Sequence, residues 1–129
     1  MGRFVRSKFS AFLAGLGMLL AAAPALAHHS FAAEYDENQP ITLKGTVTKL
    51  DWVNPHAWIY VDVKGPDGKV VNWAIQTGAP SALLKRGLRK DDFRVGMEII
   101  VEAHRAKEKA ATAAGRIVRV PDGTELFVR

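Results

Sequence analysis

Two adjacent histidines give this chain its first candidate for metal chemistry. His28 and His29 directly follow Ala25-Leu26-Ala27, a small-x-small sequence that would be cleaved to make His28 the first residue of the mature chain. An N-terminal histidine offers its α-amino group and imidazole Nδ1 to one Cu(II) ion, and the neighbouring imidazole offers a third nitrogen. The pair therefore predicts a copper site. The alternative is a solvated arm whose histidines are incidental.

A second group of residues suits a ligand that is held by stacking and hydrogen bonding. Aromatic rings with interspersed polar side chains are what a stacking or sugar-binding surface requires. These residues follow the first predicted strand and continue through the next two, and they are His56, Trp58, Tyr60, Asp62, Asn72 and Gln76. We expect them to form one ligand-binding surface. The alternative is that the aromatic rings pack under the N-terminal arm or the C-terminal strand.

His56 and His104 are weaker candidates for metal binding. A lone histidine more often makes a structural hydrogen bond than a metal contact. His104 precedes the loop between the fourth and fifth predicted strands, which borders the binding face in an OB arrangement. A site built on these two histidines would still require a carboxylate or the terminal amine as a further ligand.

Sequence signatures of catalysis are nearly absent. The chain has no cysteine, no glycine-flanked serine, no phosphate-binding loop and no His-Glu-x-x-His motif. Asp91 and Asp92 are adjacent carboxylates, but they follow Arg89-Lys90 in a polar turn and are expected to be solvated. The sequence predicts a non-enzymatic binding or accessory module whose partner is a small molecule or an exported protein. A copper-binding protein is the alternative function.

The N-terminal 27 residues have the layout of a secretory signal. A basic stretch with Arg3, Arg6 and Lys8 precedes an uncharged run that is too short to cross a membrane as a helix. Cleavage after Ala27 is expected, although cleavage after Ala25 or Ala32 is also conceivable, and cleavage after Ala32 would remove both His28 and His29. The predicted organisation is a signal peptide at 1–27, an N-terminal arm at 28–40 and one domain at 41–129. The mature protein is expected to be periplasmic or secreted, with no stable membrane span.

Cleavage of the signal also changes what the charge implies. The 129 residues contain 18 Lys and Arg and 13 Asp and Glu, a formal net charge of +5. Loss of the three signal cations would reduce this charge to +2. The remaining cations cluster around a predicted helix and away from Trp58 and Tyr60, so we expect no nucleic-acid partner.

Turn signals and alternating apolar residues predict the elements that position these side chains. Gly65-Pro66-Asp67-Gly68 predicts a hairpin in which opposed residue numbers sum to 134. This register places Trp73 in the core and both Trp58 and Tyr60 on the outer face. A break in the alternation of the first strand predicts a bulge or bend between Gly45 and Lys49.

The order of the predicted elements gives the fold class. Three strands, a short helix at Pro80 to Arg86, two strands and an extra C-terminal strand predict an all-β domain with one helix. This is the order of a five-stranded OB-type barrel. A small open β-sandwich or meander is the alternative. Residues 105–115 are expected to form a mobile loop or a frayed helical turn, and Arg119 is expected to face Glu125 across the last turn.

Several short motifs resemble a known bacterial family. They are Gly45-Thr46-Val47, Trp52-Val53-Asn54-Pro55-His56, Asn72-Trp73, Leu83-Leu84-Lys85-Arg86-Gly87, Val95-Gly96 and Pro121-Asp122-Gly123, together with the His-His-Ser-Phe start. Together they are similar to a family of short exported bacterial proteins classed as a domain of unknown function (DUF6152-like). The resemblance covers nearly all of the predicted mature chain. It implies an exported single domain in a bacterium and supplies no mechanism.

Overall fold

Six β-strands and one short α-helix make up most of the described chain. A computed structural model describes residues 31–129, and residues 34–129 form one compact unit. Residues 31–34 are helical, and the elements that follow are β1 (Tyr35–Asp51), β2 (Trp58–Lys64), β3 (Val70–Gln76), α1 (Pro80–Lys85), a 3₁₀ helix (Lys90–Asp92), β4 (Glu98–Ala106), β5 (Thr112–Arg119) and β6 (Glu125–Phe127). None of these helices is long and apolar enough to cross a bilayer.

The strands form a single sheet in the order β3-β2-β1-β4-β5-β6. Neighbours in this order pair in antiparallel fashion, and the end of β3 also pairs in parallel with the start of β5. This additional pairing closes a ring through β1, β2, β3, β5 and β4, while β6 lies outside the ring. The predicted all-β class, the helix between β3 and β4 and the extra C-terminal strand are confirmed. An open sandwich or meander would lack the closing β3–β5 pair.

The β2–β3 hairpin has the predicted register. Its pairs run from Trp58 opposite Gln76 to Lys64 opposite Val70, and every pair sums to 134. Trp73 is buried, as predicted. Val71 shares its face but is exposed, because β5 covers the edge of β3 only from Ala74 onward.

A β-bulge near the middle of β1 confirms the predicted bend. Val47 pairs with Val61 and Lys49 with Tyr60, so Thr48 has no partner in β2. Because of this extra residue, buried Val47 and partly buried Leu50 both face the core although they are three residues apart. Side chains at positions 48 and 49 are exposed.

The first strand begins earlier than the sequence predicts. Tyr35 pairs with Ala106 and is only 3% exposed, so the strand starts there and not at Ile41. A shift in register between Tyr35 and Pro40 accommodates the polar residues between them. The last part of the predicted arm is therefore strand, because β4 extends far enough to pair with it.

The prediction of a loop or a frayed helical turn over residues 105–115 is also wrong at both ends of that range, which are strand. Strand β4 continues to Ala106 and β5 begins at Thr112. Ala113 and Ala114 are buried, and a Cβ on Gly115 would lie 2.8 Å from Ile75 Cγ2. The small side chains that suggested a loop instead allow β5 to approach β3 closely.

Candidate functional site

Four of the six predicted surface residues lie together on the outer face of the β2–β3 hairpin. Trp58, Tyr60 and Asp62 occupy alternate positions of β2, and Asn72 lies opposite Asp62 in β3. Strand alternation turns these side chains away from the core. Trp58 and Tyr60 are partly exposed, whereas Asp62 and Asn72 are exposed.

A hydrogen-bond network fixes the polar end of this surface across three strands. Asn72 Nδ2 donates to Asp62 Oδ1 at 2.8 Å and to Thr48 Oγ1 at 3.0 Å. The Thr48 hydroxyl donates in turn to the backbone carbonyl of Tyr60 at 3.3 Å. Because Thr48 is the extra residue of the β1 bulge, the same irregularity that bends the strand brings its hydroxyl to the hairpin.

An ion pair covers part of the aromatic end. Lys49 Nζ lies 3.0 Å from Asp51 Oδ2 and 5.0 Å from the centre of the Tyr60 ring. Asp51 pairs with Trp58 across β1 and β2. Trp73 and Tyr35 also have a guanidinium above their rings, whereas no cation of the described residues lies over Trp58. Trp58 is therefore the aromatic ring of this surface that remains open to stacking.

We call the resulting surface the aromatic face; it consists of Thr48, Lys49, Asp51, Trp58, Tyr60, Asp62 and Asn72. The three residues from β1 were missed in the sequence. Two features of the sequence point to them, namely the break in alternation near Thr48 and the strand order that places β1 beside β2. At a bulge, two consecutive side chains point outward. The residues on either side of the break were therefore candidates for the outer face.

Gln76 lies on the predicted side of the hairpin but is covered. Its side chain is 8% exposed and its Oε1 accepts a hydrogen bond from Arg129 Nη2 at 2.8 Å. The guanidinium of Arg129 also lies over the ring of Tyr35, 5.9 Å from its centre. Gln76 is therefore not part of the aromatic face, because the C-terminal residue covers it.

His56 has a structural hydrogen bond. Its ring is partly buried, and Nδ1 lies 3.0 Å from the carbonyl oxygen of Thr77. Thr77 is itself bonded to Ala57 through its backbone N–H and through its hydroxyl. The histidine thus ties the β1–β2 loop, which contains the cis Asn54-Pro55 peptide, to the end of β3. It is not one of the aromatic-face residues.

The other predicted metal ligands do not assemble into a site in the described chain. His104 pairs with Pro40 and Ala114, and it lines a depression of about 250 Å³ with Glu102 and Arg116. No three His, Asp or Glu side chains within residues 31–129 are grouped so as to hold a metal ion. His28 and His29 lie outside the described residues.

Three surface depressions are lined by residues other than those of the aromatic face. One, of about 400 Å³, lies beside the β4–β5 loop, and another, of about 360 Å³, lies beside the β5–β6 turn. The third is the depression at His104. Four residues of the aromatic face, Thr48, Lys49, Asp62 and Asn72, are exposed, and an exposed strand surface suits an extended ligand better than one that is enclosed on all sides.

Tyr60 should ionise above its usual pH range. Burial of the ring raises the pKa of Tyr60, and the nearby Asp51 carboxylate raises it further, whereas Lys49 lowers it. The fold thus favours the neutral phenol. The contribution of this group to stability is present below the ordinary tyrosine pKa, about 10, and is lost as the pH rises through the folded pKa.

Ultraviolet titration of the tyrosines tests this assignment. Asp51→Asn should lower the pKa of Tyr60, while Asp62→Asn, a matched change on the same face, should leave it unchanged. The pKa of Tyr35 is also raised, chiefly by burial, and should be the same in both variants. Equal titration curves for the two variants would show that Asp51 does not act on Tyr60.

Comparison with known proteins places these features within one family. A model of a family described only as having unknown function matches residues 17–115. The match includes every residue of the aromatic face. No curated protein and no solved structure matches the chain.

Proposed function

The chain belongs to the family of unknown function DUF6152, and we propose that it is a non-catalytic binding module that holds a carbohydrate chain against the aromatic face. The observation that carries this proposal is the partly exposed ring of Trp58 beside a set of fixed polar groups. Export to the periplasm or the medium, indicated by the N-terminal sequence, is part of the same proposal.

Stacking on Trp58 supplies the apolar part of the interaction. One face of a sugar ring presents C–H groups, and a partly exposed indole ring can cover them while its edge stays solvated. Tyr60 lies two residues further along β2, about 7 Å away at the usual rise of a strand. A chain of sugars could therefore contact both positions, with Lys49 bordering the second.

Polar groups at both ends of the face supply hydrogen bonds to hydroxyl groups. Asp62 uses Oδ1 to accept from Asn72, and a carboxylate has acceptor capacity beyond that single bond. Asp51 is likewise bonded to Lys49 through Oδ2. Because these partners hold the carboxylates in place before a ligand arrives, binding costs less conformational entropy.

The same contacts support a role without catalysis. Both carboxylates of the face are engaged by a neighbouring side chain, Asp51 by Lys49 and Asp62 by Asn72. The face contains no serine, cysteine or histidine, and the hydroxyl of Thr48 is held by its bond to the Tyr60 carbonyl. Stacking and hydrogen bonding are the roles that the proposal assigns to these seven side chains.

Calorimetric titration with a tetrasaccharide of β-1,4-linked N-acetylglucosamine tests the proposal. We expect Trp58→Ala to weaken binding at least tenfold, or about 1.4 kcal/mol, because the stacking surface is removed. Phe127→Ala is the matched control, since Phe127 is an aromatic residue that is 55% exposed on β6, outside the face. Equal affinities of the two variants, or no binding of this sugar or a maltose tetramer by the unmodified protein, would contradict the proposal.

Copper binding remains the alternative function. It rests on His28 and His29, which lie outside the described residues, and on the proposed cleavage after Ala27. None of the aromatic-face residues takes part in it, so the Trp58 variant leaves a copper site at the N-terminus intact.

A further inference from the structure

A second surface of the protein carries a concentration of positive charge. Residues 85–94, the basic segment, contain five cations and two carboxylates, whereas the rest of residues 31–129 contains ten cations and eleven carboxylates. The segment thus has a formal charge of +3 and the remainder of the described chain −1. Its five cations, all exposed, are Lys85, Arg86, Arg89, Lys90 and Arg94.

These cations are not neutralised by their neighbours. Within residues 31–129, no cation of the basic segment forms an ion pair, and Arg86 Nη1 donates to the backbone carbonyl of Phe127 at 3.4 Å. The Asp92 carboxylate accepts instead from the backbone N–H of Arg89 at 2.7 Å. The positive charge of the segment is therefore available to an external partner.

Three buried side chains hold the basic segment against the ring of strands. Leu83, Leu88 and Phe93 belong to the main hydrophobic core, and the positions between them are mostly exposed. These buried residues are five positions apart. The cations between them face the solvent, while the backbone that carries them is held against the core. Leu84, next to Lys85 on α1, is 54% exposed and adds an apolar group to the same surface.

We propose that the basic segment docks the protein on a bilayer that contains anionic phospholipids. Lysine and arginine side chains near such a surface are attracted by its negative potential, and an exposed leucine can enter the boundary between headgroups and acyl chains. This interaction is independent of the aromatic face and of any ligand bound there.

The same residues fit other polyanions less well. Phe93, the one aromatic residue of the segment, is buried, so the segment has no ring on which a nucleic-acid base could stack. The depression beside the segment is lined by Asp91, Asp92 and Asp122 together with Arg94, so a free phosphate ion would meet three carboxylates and one guanidinium there. A bilayer surface contacts the protruding cations without entering that depression.

Co-sedimentation with vesicles tests the proposal. We expect the protein to bind vesicles of equal parts phosphatidylglycerol and phosphatidylcholine, and Lys85→Gln/Lys90→Gln to weaken this binding at least tenfold. The matched control is Lys64→Gln/Lys69→Gln, which removes the same charge from two exposed lysines in and beside the β2–β3 turn. This control should change binding less than twofold. All variants keep the same N-terminal segment, so its contribution cancels.

A second pair of variants separates the contribution of leucine insertion to vesicle binding from the contribution of charge. Leu84→Ser should weaken vesicle binding, whereas Val70→Ser, at a valine that is 59% exposed on β3, should not. Equal loss in the two lysine variants, or equal binding to pure phosphatidylcholine vesicles, would overturn the proposal. Tighter binding to a single-stranded oligonucleotide than to the anionic vesicles, or release from vesicles by inorganic phosphate at constant ionic strength, would also overturn it.

Discussion

Replacing Gly45 with alanine is expected to lower the free energy of unfolding by about 3 kcal/mol or more. A Cβ at this position would overlap the backbone carbonyl oxygen of Asp62 and lie 2.8 Å from Val61 Cγ1. Those atoms belong to β2, directly opposite the next residue of β1, Thr46. Relief of the overlap would require the two strands to separate where their pairing begins.

Urea denaturation of Gly45→Ala and Gly78→Ala measures this effect against a matched control. A Cβ on Gly78 would have its nearest contact at 3.4 Å, so we expect that variant to change stability by about 1 kcal/mol or less. Equal destabilisation by the two alanines would contradict the close approach of β1 to β2. Loss of stability at Gly45 alone would support the strand pairing on which the aromatic face depends.

Phe93→Ala should cost about 3–5 kcal/mol of stability. Phe93 is 1% exposed and belongs to the main core, so its removal leaves a cavity that the surrounding side chains can fill only in part. Because this ring also anchors the basic segment, backbone amides of residues 85–94 should exchange with solvent faster in the variant.

The control for this prediction is Leu84→Ala on the same part of the chain. Leu84 is exposed, and its truncation should change the free energy of unfolding by about 0.5 kcal/mol or less. Both variants can be compared by urea denaturation. Similar midpoints and slopes for Phe93→Ala and the unmodified protein would show that Phe93 is not part of the core.

Local patterns were sufficient to predict the hairpin and its faces. The turn residues Gly65 to Gly68 define the loop, and the strict alternation of apolar residues on both sides allows only one register. The order of the elements then predicted the fold class, because strands, a short helix and further strands can close into a ring in few ways. The opposition of Arg119 and Glu125 followed from the second turn in the same manner.

Features that depend on distant parts of the chain could not be predicted in this way. Tyr35 becomes strand because it pairs with Ala106, 71 positions away in the sequence. Gln76 is covered by Arg129, which no local pattern indicates. The Ala-rich start of β5 has no alternation, and only its close packing on β3 explains it.

The aromatic face contains both residues that local patterns predict and residues that they do not. Trp58, Tyr60, Asp62 and Asn72 were placed together because they belong to one hairpin with a definite register. Thr48, Lys49 and Asp51 join them through a bulge whose presence was predicted but whose exact position was not. The direction of these side chains depends on which residue of β1 is left unpaired, and the pairing with β2 determines that residue.

The most direct test of the account is the response of the three tryptophan indole N–H signals to the N-acetylglucosamine tetrasaccharide in a nuclear magnetic resonance titration. Trp58 lies on the aromatic face, Trp73 is buried, and Trp52 packs against the core. The account predicts that the Trp58 indole and the Asn72 side-chain amide shift together as the sugar is added, while Trp73 and Trp52 stay unchanged. Shifts of Trp52 or Trp73 without Trp58, or no shift at any of them, would contradict it.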